Sequence, residues 1–105
     1  MKILISQIEY IKPPRNFVFD ALERSYYKFL NSHELMPVPN TNKVAYNDYD
    51  CLMLTGGPDS VARNNTENLL YNDAVNKGKP IIGICHGAFA INDICNGTNG
   101  HVDGH

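Results

Sequence analysis

The sequence has little net charge, no long apolar run and few cysteines, and each scarcity excludes a class of function. Its 105 residues carry a formal net charge of −2. This gives no electrostatic reason to expect binding to nucleic acid or to an anionic membrane surface. No apolar run approaches the roughly 20 residues of a membrane span, and the N-terminus has no signal-peptide core. We therefore expect neither a nucleic-acid partner nor a membrane.

The three cysteines, Cys51, Cys85 and Cys95, are an odd number and lack the paired spacing of a metal site. In a sequence without a secretion signal, they predict reduced thiols and a cytoplasmic location. The length fits one small domain, residues 1–105. A hydrophobic content of 43% is ordinary for a globular protein of this kind.

The C-terminal stretch is the one place where metal ligands alternate. His101, Asp103 and His105 follow one another at every second position, as ligands on one face of a strand would. The glycines around them indicate a loop instead, and no fourth ligand or supporting shell is evident. We therefore predict neither a metal site nor a cofactor.

The hydrophobic pattern alternates between strands and helices in a β-α-β-β-α-β-α order. It predicts strands at residues 2–6, 35–38, 50–55 and 80–85, helices at 16–30, 66–77 and 88–95, and a loop at 7–14. Such alternation is typical of a flavodoxin-like, doubly wound α/β fold with a mainly parallel sheet. Helix, sheet and turn motifs together suggest a larger domain, which we expect to continue beyond residue 105.

The second predicted helix has recognisable ends. Asn64 followed three residues later by Glu67 resembles a capping box, and Gly78 is a typical helix stop. Its predicted buried face consists of Leu70, Ala74 and Val75. The first predicted helix presents a set of aromatic and aliphatic residues, which we interpret as core.

Cys85 lies where the last predicted strand turns into the last predicted helix. Gly83 and Gly87 flank it at two residues on either side, in the G-x-C-x-G form of a nucleophile elbow. Glycines fit there because neighbouring Cβ atoms would collide in so sharp a turn. The N-terminus of the following helix favours the thiolate. We predict that Cys85 is a nucleophile, with a buried, inert thiol as the alternative, whereas Cys51 is predicted to be a packing residue.

A second turn, Gly56-Gly57-Pro58, directly follows the third predicted strand. Ligands of open parallel sheets bind at the carboxyl ends of the strands. If the third and fourth strands are neighbours, the backbone N–H groups of Gly57 and His86 converge on one point. Two such donors form an oxyanion hole, and we expect Gly56 to contribute to the same site.

These motifs carry a family resemblance. Residues 54–60 (LTGGPDS) and 80–87 (PIIGICHG) resemble the class I glutamine amidotransferases and the related γ-glutamyl hydrolases. Arg63 and Glu67 resemble the R-x-x-x-E run of the γ-glutamyl hydrolase branch, and residues 37–40 resemble a strand end of that family. The resemblance implies that Cys85 attacks a γ-glutamyl amide to form a γ-glutamyl thioester. It also implies oxyanion donors at Gly57 and His86, and a possible synthase partner that receives ammonia.

The sequence also departs from the family pattern. Phe89 stands where family members typically have a substrate-pocket glutamine, and no H-x-E motif follows the cysteine. His101 and His105 come too soon after the elbow to match the family's catalytic histidine. Residues 84–87 (ICHG) also resemble the elbow of the PfpI-like protease, chaperone and glyoxalase superfamily. A non-catalytic, amidotransferase-like binding domain is a further alternative.

Overall fold

The computed structural model describes residues 1–42 and 46–84. Its elements follow one another as β1 (Lys2–Ile5), β2 (Ile8–Lys12), β3 (Phe17–Ala21), α1 (Ser25–Phe29), β4 (Glu34–Pro37), β5 (Cys51–Leu54), α2 (Val61–Asn76) and β6 (Ile81–Gly83). The predicted helix at 88–95, the elbow residues from Cys85 onward and the alternating His101, Asp103 and His105 lie outside the described residues.

The central sheet confirms the predicted fold class. Strands β1, β4, β5 and β6 form one sheet in the order β4-β1-β5-β6, and all of its pairings are parallel. Counted among these four strands alone, the order is 2-1-3-4, which is the flavodoxin-like arrangement. The four predicted strands are all present, with ends that differ by one or two residues.

Both faces of the sheet are buried, as a doubly wound fold requires. On one face Leu4, Leu52 and Leu54 pack with Leu70 and Ala74 of α2. On the other face lie alternate residues of the same strands, Ile3, Ile5, Cys51 and Met53. Side chains from the segment around α1 pack against them, namely Leu22, Tyr26 and Leu30. Continuous apolar runs in β1 and β5 reflect this burial on both sides.

The predicted helix at 16–30 and the predicted loop at 7–14 are both wrong. Strands β2 and β3 pair as an antiparallel hairpin, with Tyr10 opposite Phe19, and only the short α1 is helical. The helical spacing of apolar residues does not produce a buried face, because Phe17 and Phe29 are exposed. Aromatic and β-branched residues favour a strand once a partner strand is available, and cross-strand pairs then stabilise it.

Helix α2 begins earlier than predicted. Its N-cap is Ser60, whose side chain accepts a hydrogen bond from the Arg63 N–H, so the predicted cap at Asn64 is wrong. Leu70 and Ala74 are buried as predicted, but Val75 is exposed. The predicted stop at Gly78 is confirmed, since its positive φ of 66° continues the chain out of the helix. Within the described ranges, no helix is long and apolar enough to cross a membrane.

Candidate active site at the carboxyl ends of β5 and β6

Strands β5 and β6 are direct neighbours, which brings two predicted motifs to one edge of the sheet. Leu54 is in register with Gly83, and the Ile84 N–H donates to the Leu54 carbonyl at 2.9 Å. The Gly56-Gly57-Pro58 turn leaves β5 at this edge. In the sequence, Cys85 and His86 directly follow Ile84; both lie outside the described residues.

The entry to the turn is tied to the end of β1. The Thr55 N–H donates to Ser6 Oγ at 2.9 Å, and Thr55 Oγ1 donates to the Ser6 carbonyl at 2.9 Å. Both residues are buried. Because buried polar groups are costly without partners, these two hydrogen bonds, both donated by Thr55, fix where the chain leaves the sheet.

Gly57 occupies a position that only glycine fits. Its φ is +113°, and a Cβ built on it would lie 2.6 Å from Ile8 Cγ2 and 3.3 Å from Arg63 Nη1. A side chain of the hairpin and a side chain of α2 thus both lie close to this position. Glycine is therefore required at position 57 by the protein's own side chains.

Arg63 is the residue that organises this turn. Its side chain is fully buried, and its guanidinium donates from Nη1 to the carbonyls of Gly56 and Pro58, each at 3.2 Å. Nη2 donates to the carbonyl and the hydroxyl of Thr55, and Nε donates to Glu67. An arginine side chain has five N–H donors, so all of them are engaged.

Glu67 supplies the charge that balances Arg63. The Nε to Oε2 distance is 3.3 Å, and the two side chains are 0% and 2% exposed. An uncompensated charge at such depth is strongly unfavourable, so each partner requires the other. From the sequence alone, this pair is recognisable only through the family resemblance. Its i, i+4 spacing was the available signal, but the predicted helix began too late to include Arg63.

A cavity of about 330 Å³ opens beside the turn. Its lining combines the turn with the hairpin and α1: Ile8, Ala21, Leu22, Glu23, Ser25, Tyr26, Thr55, Gly56 and Gly57. The Gly56 N–H donates to Tyr26 Oη at 3.2 Å, across the cavity wall. Within residues 1–42 and 46–84, no acceptor bonds to the Gly57 N–H. Of the two glycine amides, Gly57 therefore has the N–H that a ligand can use.

Residues 16–99 match the family model described as "Glutamine amidotransferase class-I". The chain belongs to this family. The match includes the Gly56-Gly57-Pro58 turn, the Arg63–Glu67 pair and Cys85. No curated protein matches the chain.

Cys51 is the cysteine of this amidotransferase-family chain that the structure describes. Its side chain is 3% exposed and packs in the core of the sheet. Burial, assisted by the charge of Asp50, raises the pKa of its thiol. A buried thiol with a raised pKa is a poor nucleophile, so the prediction of Cys51 as a packing residue is confirmed.

Proposed function

We propose that this family member hydrolyses a γ-glutamyl amide with Cys85 as the nucleophile. The observation that supports the proposal is the pairing of β5 with β6, because it brings the Gly-Gly-Pro turn and the start of the elbow to the same edge of the sheet. The cavity beside Gly57 provides space for a substrate there. Ligand sites of open parallel sheets lie at this edge.

In the proposed reaction, the Cys85 thiolate attacks the γ-carbonyl carbon of the substrate. The carbonyl π electrons move onto oxygen, and the N–H groups of Gly57 and His86 stabilise the resulting oxyanion. The C–N bond then breaks, the amine leaves with the proton that the Cys85 thiol lost on forming the thiolate, and a γ-glutamyl thioester remains on Cys85. Water attacks the thioester, which releases glutamate and restores the thiol.

The role of Gly57 rather than Gly56 as the donor follows from the hydrogen bonds of the turn. The Gly56 N–H is already bonded to Tyr26 Oη, so Gly56 contributes to the wall of the cavity. Where the amine released is ammonia, a synthase partner is its natural acceptor. A thiol nucleophile also needs reducing conditions, which fits the cytoplasmic location expected from the sequence.

The proposal is tested by glutamate release from a panel of γ-glutamyl amides. Glutamine belongs in the panel beside aryl and alkyl amides, because Phe89 replaces the glutamine typical of the substrate pocket. We expect the purified protein to release glutamate, Cys85→Ala to lose this activity, and Cys51→Ala to retain it. Brief iodoacetamide treatment near neutral pH should label Cys85 before Cys51.

Two outcomes contradict the proposal. Release of no glutamate, with equal labelling of Cys51 and Cys85, would favour a non-catalytic binding domain. Cys85-dependent conversion of a glyoxal, or cleavage of a peptide, would favour the PfpI-like alternative.

A further inference from the structure

We infer that Arg63 is a positioning residue that sets the direction of the Gly57 N–H toward the reacting carbonyl. The inference rests on the proposed function for its catalytic consequence. Its structural part, the orientation of one peptide group by one side chain, can be measured without any activity. The juxtaposition that carries it is a fully buried guanidinium that donates to three backbone carbonyls of the turn, those of Thr55, Gly56 and Pro58.

The peptide unit that joins Gly56 to Gly57 is planar and trans. In a trans peptide unit the C=O and the following N–H point in opposite directions. The Gly56 carbonyl accepts from Arg63 Nη1 at 3.2 Å, so the N–H of Gly57 in the same unit points away from Arg63. Arg63 lies on α2 and is not among the residues that line the cavity, whereas Gly56 and Gly57 both line it.

The neighbouring peptide unit shows the same relation with both ends bonded. The Thr55 carbonyl accepts from Arg63 Nη2, and the Gly56 N–H of that unit donates to Tyr26 Oη at 3.2 Å. Tyr26 lines the cavity. The peptide between Thr55 and Gly56 is therefore held at its C=O by Arg63 and at its N–H by Tyr26, and these two bonds set its orientation. The next unit is held by the same guanidinium, but its N–H has no partner among the described residues.

Two consecutive glycines make such a constraint necessary. Glycine adopts positive and negative φ about equally readily, so a Gly-Gly peptide rotates at little cost. Rotated by half a turn, the unit would present the Gly56 carbonyl oxygen where the oxyanion forms, and like partial charges would repel. The glycines permit the close approach of ligand and hairpin, and Arg63 selects the productive orientation.

Arginine is suited to this task in a way that lysine is not. Its planar fork presents five donors in fixed directions, and here they meet five acceptors: Glu67, both oxygens of Thr55, and the Gly56 and Pro58 carbonyls. A lysine ammonium offers three donors on a flexible stem and cannot span the same set. Arg63→Lys keeps the positive charge opposite Glu67 but loses the planar guanidinium and its fixed set of five donors.

The test compares Arg63→Lys with wild type and with Tyr49→Phe. Tyr49→Phe is the matched control, because it removes a hydrogen bond to Asp73 farther along α2 and leaves the turn intact. For Arg63→Lys, we expect the rate of acylation by a γ-glutamyl anilide to fall about 10²–10³-fold, as for the loss of one oxyanion donor. KM should change much less, and Tyr49→Phe should keep the wild-type rate despite its lower stability.

Amide orientation gives the readout that does not depend on activity. Residual dipolar couplings should show reoriented N–H vectors at Gly56 and Gly57 in Arg63→Lys and unchanged vectors at Ile3 and Leu52. In wild type, scalar couplings across hydrogen bonds should connect the guanidinium nitrogens to the carbonyl carbons of Thr55, Gly56 and Pro58. That measurement decides the matter even if Arg63→Lys does not fold.

Each outcome has one meaning. Unchanged N–H vectors in Arg63→Lys, absent couplings in wild type, or a wild-type acylation rate would overturn the role of Arg63. A wild-type protein without Cys85-dependent turnover would instead overturn the proposed function, and the N–H vectors alone would then decide the inference about Arg63.

Discussion

At the scale of single residues, the candidate site depends on how tightly Gly57 is enclosed. A Cβ at this position would meet both the methyl group of Ile8 and the guanidinium of Arg63, and its φ of +113° lies where L side chains rarely occur. Gly78 is a useful contrast. It also has a positive φ, of +66°, but a Cβ added there would meet nothing within 4 Å. A substitution at Gly78 therefore measures the cost of the backbone conformation alone, whereas a substitution at Gly57 measures that cost together with the cost of crowding.

We therefore expect Gly57→Ala to destabilise the fold by about 2–4 kcal/mol, from a strained backbone and overpacking together. Gly78→Ala should cost only about 1–2 kcal/mol, the penalty of a left-handed conformation. Urea denaturation measures both. In Ile8→Ala/Gly57→Ala the closest side-chain contact is removed, so part of the loss should be recovered. Equal costs at positions 57 and 78 would show that crowding against Ile8 is unimportant.

At the scale of secondary-structure elements, the start of α2 connects helix stability to the site. Ser60 is in the extended conformation expected of an N-cap, and its Oγ accepts from the Arg63 N–H at 3.1 Å. The first turn of the helix therefore includes the residue that holds the Gly-Gly-Pro turn. A helix that began at residue 66 would leave Arg63 in a loop without a defined direction.

The position of the cap is directly testable. Ser60→Ala should lower the free energy of unfolding by about 0.5–2 kcal/mol, because an N–H of the first turn loses its acceptor. Asn64→Ala should be neutral or slightly stabilising, since Asn64 is exposed inside the helix and alanine is the better helix former. Chemical denaturation of the two variants measures the difference. The reverse pattern would place the helix start where the sequence predicted it.

The β2–β3 hairpin is the element that covers the site. Ile8 and Ala21, its innermost cross-strand pair, both line the cavity. Asp20 anchors the hairpin by accepting from the backbone N–H and the side-chain amide of Asn40, at 3.2 and 2.8 Å. The hairpin thus completes a cavity that the parallel sheet alone would leave open.

At the scale of the whole molecule, α2 is joined to the sheet at its other end by a polar cluster. The Tyr49 hydroxyl donates to Asp73 at 2.7 Å, and Lys77 Nζ donates to the same carboxylate oxygen at 3.0 Å. Burial raises the pKa of Tyr49, so the phenol keeps its proton and remains a donor. Burial alone would raise the pKa of Asp73, but the hydrogen bond from Tyr49 and the charge of Lys77 outweigh it and lower that pKa.

This cluster predicts a loss of stability in acid. A carboxylate whose pKa is lower in the folded state stabilises the fold fully above its unfolded pKa, near 3.8. The contribution disappears as the pH falls through that value toward the folded pKa. Between about pH 5 and pH 3, wild type should therefore lose more stability than Asp73→Asn. Thermal unfolding across this range is the measurement, and parallel curves for the two proteins would contradict the assignment.

The sequence by itself determined the parallel sheet and the place of the candidate site. A strand buried on both faces needs a continuous apolar run, and a tight turn at its end needs glycine, so residues 2–6, 50–55 and 56–58 reveal their structure locally. The pairing of the third and fourth strands was only a condition of the sequence prediction, and the structure shows it. The resemblance to the amidotransferase family rested on the same short motifs, and the match over residues 16–99 shows the membership.

Only the tertiary structure decided between helix and hairpin at residues 7–30 and assigned a role to Arg63. The apolar spacing of residues 16–30 fits a helix as well as a strand, and β2, the partner strand of β3, lies in a stretch that the sequence predicted to be a loop. Arg63 acquires its role from acceptors on residues 55, 56, 58 and 67 that converge only after the turn and α2 have packed together. The pairing of β2 with β3 and the set of acceptors around Arg63 both depend on contacts between segments that are separate in the sequence. Tertiary packing determines such contacts, and local sequence preference does not.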